Sequence, residues 1–99
     1  MPINVNELEI VHNPAENRFE TWLEGRLSKL DYIEDGDTIV MTHVGVHPDD
    51  RGHGVAGKLT EVALAYARAK SLRVIPMCSY VAAYIRRNSQ HADLTKQRT

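Results

Sequence analysis

The chain has 99 residues, a formal charge of −1 and 42% apolar residues, enough for one small domain with a modest core. That charge gives no electrostatic case for a nucleic acid or an anionic membrane as partner, and no apolar run reaches the roughly 18 to 20 residues that span a bilayer. No basic-then-apolar leader opens the chain and its one cysteine, Cys78, has no internal partner, so the expectation is a cytoplasmic, intracellular protein.

In chain order, Val5–Val11 alternates imperfectly and runs into Asn13-Pro14-Ala15-Glu16-Asn17, a turn of residues that bond their own backbone. A first strand is predicted near Leu8–His12. Arg18–Leu23 alternates, with Phe19, Thr21 and Leu23 on one face and Arg18, Glu20 and Trp22 on the other, until Gly25 breaks it. Arg26–Ile33 carries Leu27, Leu30, Tyr32 and Ile33, and then Asp35-Gly36 signals a hairpin. Thr38–Val46 makes a fourth strand. Short turns between these strands imply an antiparallel meander, since parallel neighbours need long crossovers.

A polar loop, His47–Gly54, leads into a helix predicted from Gly54 to Ala69, with Val55, Leu59, Val62, Ala63 and Tyr66 in one stripe that Ala67 widens. Leu64 points away from that stripe. Ser71–Pro76 reads as a short buried strand; beside the fourth strand it makes the helix a right-handed parallel crossover. Ser79–Arg87 predicts a last helix with Val81, Ala82 and Ile85 inward. The expected fold is an α+β sandwich: about five mostly antiparallel strands, one parallel crossover and a final helix. Residues 1–88 form the domain, and the polar stretch 89–99 is expected to be a flexible tail.

The loop is where chemistry enters. The first amides of a helix lack intrahelical partners and sit at the positive end of its dipole, so they attract anions. Gly52 and Gly54 remove β-carbons that would hold a phosphate away from them. The P-loop pattern fails, because Gly57-Lys58 is followed by Leu59. The dinucleotide fingerprint is copied only superficially by Gly52-His53-Gly54-Val55-Ala56-Gly57, since an antiparallel meander precedes it. The plain alternative is a glycine loop that merely caps a helix.

A third pattern fits. The run Val44-Gly45-Val46-His47-Pro48-Asp49-Asp50-Arg51-Gly52-His53-Gly54-Val55-Ala56, with Leu59 beyond, resembles the acetyl-CoA signature of the GNAT acyltransferase superfamily, matching Arg/Gln-x-x-Gly-x-Gly/Ala as Arg51-x-x-Gly54-x-Ala56. The resemblance implies a reduced GNAT fold and an acetyl-CoA-dependent N-acetyltransferase. It implies that the amides of Arg51, Gly52, His53, Gly54, Val55 and Ala56 hold the coenzyme A pyrophosphate, and that the backbone near Val44 and Val46 pairs with pantetheine. The usual pair of helices between the first two strands has no room at Asn13–Asn17. That shortness, with Pro76-Met77-Cys78-Ser79-Tyr80-Val81, resembles the minimal single-domain branch that carries a Pro-x-Cys-Ser-Tyr-Val segment.

Acyl transfer needs an unprotonated amine, a place for the thioester oxygen and an exit for thiolate. Cys78 falls at the expected start of the last helix, a position that favours a thiolate. It is a candidate to carry the acetyl group or to line the site in direct transfer; the plain alternative is a small core thiol. His43, on the fourth strand, is a candidate base for the amine or for Cys78, against an ordinary structural or exposed histidine. Tyr84 is expected to pack on the sheet and Tyr80 is a candidate to line the site. Arg86, Arg87 and Lys58 are candidates for the 3′-phosphate, with solvation as their ordinary role. No recognised metal-ligand spacing joins the histidines to Cys78.

The acceptor is an amine, small-molecule or protein, with an open acceptor side in the absence of the inserted helices. Monomer or weak dimer is expected. Two rival readings stand beside the enzyme: a coenzyme A-binding module with little or no catalysis, and a structural domain that pairs through an exposed strand edge.

Overall fold

The structure, a computed structural model, describes residues 4–96. Five strands form one sheet in the order β1-β2-β3-β4-β5: β1 Val11–Asn13, β2 Arg18–Leu23, β3 Arg26–Asp35, β4 Thr38–Gly45 and β5 Arg73–Pro76. The first four pair antiparallel as a meander. Helix α1, Val55–Ala69, crosses over so that β5 lies parallel to β4. Helix α2, Ser79–Arg87, follows. This is the expected reduced α+β sandwich.

The alternation of β2 and β3 puts Phe19, Leu30 and Tyr32 on the face that packs against the helices, where they join Ile39, Met41 and Val74 in one core. The opposite face carries no helix. Among the described residues Val11, Trp22 and Ile33 remain exposed on it, at 41%, 55% and 58%. The long β2–β3–β4 pairing and short edges are what a meander closed by tight turns requires. Between β1 and β2 there is only a single 3-10 turn, Pro14–Glu16.

Four expectations are corrected. The first strand begins at Val11, later than Leu8–His12, because Val5–Glu7 folds as a 3-10 turn capped by the Asn4 side chain. Strand β4 ends at Gly45, one residue before Val46, and β5 starts at Arg73. Leu64, off the stripe and so expected to be either exposed or covered by another element, is fully buried, the second of the two. It lies one turn before Arg68 on the same side of α1, and Arg68 donates to both carboxylate oxygens of Asp93 at 2.9 and 3.0 Å and to the Gln90 carbonyl.

Those partners belong to the segment expected to be a loose tail. Instead Ser89–Thr95 forms a 3-10 helix whose Leu94 is only 4% exposed and joins the core. Burying one leucine contributes about 1.5–3 kcal/mol, which is how a mostly polar stretch stays docked on a single apolar anchor. Residues 97–99, the rest of the expected tail, lie outside the described residues.

Candidate functional site

Pairing between β4 and β5 stops at Met41↔Pro76, so Thr42–Gly45 of β4 extends past β5, with β3 on one side and no strand on the other among the described residues. At the fork, the Cys78 amide donates to the Met41 carbonyl at 3.0 Å. The pairing of the two strands therefore ends at the start of α2.

A bulge shapes the free part of β4. Asp31 pairs with His43 and Tyr32 with Met41, leaving Thr42 as the extra residue. The bulge shifts the alternation by one. Val44, opposite Leu30, then packs against the core, while His43 and Gly45 face the open side of the sheet. His43 is exposed there, and its ring lies so close over Gly45 that a β-carbon on Gly45 would be 3.0 Å from Nε2.

Past β4, a 3-10 turn at Pro48–Asp50 leads to Gly52 and Gly54, at φ +83° and +85°. A side chain at either would strain the backbone by about 1–2 kcal/mol. Helix α1 begins with the Lys58 amide donating to the Gly54 carbonyl at 3.0 Å. Among the described residues, the amides of Gly52, His53, Gly54, Val55, Ala56 and Gly57 donate to no other part of the chain. Arg51 is the exception. Its amide reaches the Pro48 carbonyl at 3.4 Å, and its guanidinium folds back to the Val46 carbonyl, also at 3.4 Å.

A cleft of about 340 Å³ opens over these amides, lined by Val46, Asp50, Arg51, Gly52, Gly54, Val55, Ala56 and Tyr80. Among the described residues no side chain plugs it. Six of the eight sequence-derived loop and strand positions line it; His53 and Val44 flank it, His53 exposed and Val44 half-buried. Tyr80 approaches because Gly57 has no side chain: a β-carbon there would be 3.4 Å from the Tyr80 hydroxyl. Tyr84, whose ring centroid is 6.4 Å from that of Tyr80, packs against the core, and burial with Glu61 nearby pushes its phenol up.

Asp50 is a wall residue that sequence reasoning missed. It is 1% exposed and takes three contacts from Arg26 on β3: Nη2 to Oδ1 at 2.7 Å, and Nε to Oδ1 and Oδ2 at 3.2 and 3.1 Å. The guanidinium holds the Asp50 carboxyl below its ordinary range, with smaller help from His47 and His53. Ser28, also on β3 and fully buried, accepts the His47 amide at 3.0 Å. Nothing in the sequence could have marked a partner 24 positions away.

The two proposed chemical residues are not brought into contact. Cys78 is half-buried on the helix side, against the core, and His43 is exposed on the other face; no hydrogen bond joins them among the described residues. Lys58 faces Glu61 at 3.8 Å, and Arg86 and Arg87 are exposed. Among the described residues no group of three His, Cys, Asp or Glu side chains could hold a metal ion, and no helix is long and apolar enough to cross a membrane.

A free helix N-terminus under a glycine loop, beside a strand that runs past the end of its parallel neighbour, agrees with an independent match: residues 18–94 fit the family described as GCN5-related N-acetyl-transferase. The chain belongs to that family. Its fold is similar to the NMR solution structure of a GCN5-like protein from Staphylococcus aureus, with 28% identity, a TM-score of 0.71, and coverage of 88% of this chain and 86% of that one. The GNAT chain described here thus has the reduced architecture over nearly its full length, and membership points to acetyl transfer as its class of activity.

Proposed function

We propose that this protein is an acetyl-CoA-dependent N-acetyltransferase. The observation that carries the reading is the run of unpartnered amides from Gly52 to Ala56 lining an open cleft. Donors already fixed in place stabilise an anion without reorganising when it arrives. The residues fit the group: the amides would hold the pyrophosphate, the β4 edge near Val44 and Val46, past the end of β5, would pair with pantetheine, and Lys58, Arg86 or Arg87 would meet the 3′-phosphate. When bound, acetyl-CoA supplies an activated thioester.

The remaining chemistry falls to the chain. Cys78, where β4 and β5 part, lines the reacting end and is the candidate to carry acetyl. His43, on the helix-free face, takes the proton of an amine that approaches from that side. Its position suits this role better than polarising Cys78. The bare face leaves the acceptor side open, which admits a protein amine as readily as a small one.

The second reading is a coenzyme A-binding module with little turnover, favoured by the lack of any bond between Cys78 and His43. Turnover of acetyl-CoA against a panel of amines separates the two. For the enzyme, Cys78→Ser and His43→Ala lower kcat while leaving coenzyme A affinity unchanged, and intact-mass analysis after acetyl-CoA shows whether Cys78 gains an acetyl group. Binding without turnover on any amine leaves the module. Absence of binding, with no amide perturbation between Arg51 and Ala56, ends both.

A further inference from the structure

Asp50 stands where a carboxylate should not. It is buried in the wall of a cleft lined also by Arg51, Tyr80 and the backbone of the free helix start. A bare negative charge there would repel a phosphate group, and low exposure would leave that repulsion poorly screened. The contacts from Arg26 remove the problem, since a guanidinium gripping both carboxylate oxygens turns the wall residue into a neutral pair.

The same grip has a mechanical side. Asp50 ends the 3-10 turn that feeds Gly52 and Gly54, and the Ser28 hydroxyl holds the start of that turn through the His47 amide. Two residues near the start of β3, Arg26 and Ser28, therefore pin both ends of the turn to the sheet. Loops of this kind are otherwise free to move, and a preformed donor array loses its advantage if it wanders.

We infer that Arg26 is a positioning residue for the phosphate-bearing cofactor: it cancels the Asp50 charge in the cleft wall and fixes the turn that presents the amides. The inference rests on the cofactor reading of the loop. It differs from a purely structural ion pair in the sign of one double substitution. Removing Arg26 leaves a buried, unpaired carboxylate facing the ligand, which is more harmful than removing the pair. Adding a second change at Asp50 then restores binding.

The test is a calorimetric titration with coenzyme A of the wild-type protein, R26Q, D50N and R26Q/D50N, with acetyl-CoA kinetics alongside. R26Q is expected to bind about tenfold or more weakly, with KM for acetyl-CoA raised and kcat at saturation within about twofold, while R26Q/D50N recovers at least about threefold of that loss. R26Q binding like wild type, or a double variant no better than R26Q, overturns the inference. If R26Q does not fold alone, R26K, which keeps the charge but not the grip on both carboxylate oxygens, decides: coenzyme A affinity weakened about threefold or more supports the inference, and a smaller change overturns it. Wild-type protein that binds no coenzyme A would instead sink the cofactor reading itself, so the two failures are distinct.

Discussion

The two ends of helix α1 are built to opposite rules. At its start the backbone donors are left free, glycines replace side chains, and a cleft stands open. At its finish, roughly 22 Å away at 1.5 Å per residue, the space is filled with rings. His12 stacks on Phe19 at 4.3 Å between centroids, Tyr32 and Tyr66 close around them, and Lys70 lies 5.6 Å over the Tyr66 ring. Polar tips there are satisfied: His12 Nε2 meets the Tyr32 hydroxyl, and the Tyr66 hydroxyl donates to Glu34, both at 2.6 Å. That bond to Glu34, aided by burial, pushes the Tyr66 phenol up to about 12. One end stores stability; the other keeps hydrogen-bonding capacity in reserve.

If that division holds, damage at each end shows in a different measurement. The largest effect is expected from Phe19→Ala, which hollows the ring cluster at a residue only 1% exposed. Chemical denaturation should show a loss of about 3–5 kcal/mol, with coenzyme A affinity of the folded fraction unchanged. A matching loss of affinity would mean the two ends are not independent. Gly54→Ala reverses the pattern. Its β-carbon meets nothing closer than Val5 at 3.6 Å, so the stability cost is that of the left-handed backbone alone, about 1–2 kcal/mol. Coenzyme A affinity should fall at least about tenfold, equivalent to about 1.4 kcal/mol; unchanged binding would show that the loop is only a cap.

The smallest effect sharpens the comparison through pH. Burial lowers the His12 pKa below 6.5, opposed by Glu34 and aided by Lys70. The unfolded chain then binds a proton that the folded chain resists, so stability present above pH 6.5 declines as pH falls toward the folded pKa. His12→Phe keeps a ring on Phe19 and removes the titration. Its Tm should fall less between pH 7 and pH 5 than that of the wild type, as followed by circular dichroism. Identical slopes would place the titrating group elsewhere.

How far the sequence could be read follows the same divide. Strand alternation, the Asp35-Gly36 turn and the stripe on α1 are local patterns, so β2, β3, β4, α1 and α2 were legible within a residue or so. The loop was legible because its chemistry is local too, the donors and glycines being neighbours in the chain. What escaped depends on distant partners. Which fate Leu64 meets, buried and not exposed, depends on elements distant in the chain, and the tail looked loose because one leucine among polar residues carries little pattern. Asp50 drew no notice because Arg26 joins it only in the fold. The placement of His43 was hidden by the bulge, since period-two reasoning through Thr42 assigns it to the wrong face.

That bulge makes the region sensitive to length rather than to composition. Adding one residue to β3 between Asp31 and Tyr32 would give Thr42 a partner and leave every neighbouring residue type intact, yet it would turn His43 inward among apolar groups and send Val44 out to water. A lineage of this protein can therefore exchange many side chains along these strands more safely than it can gain one codon there.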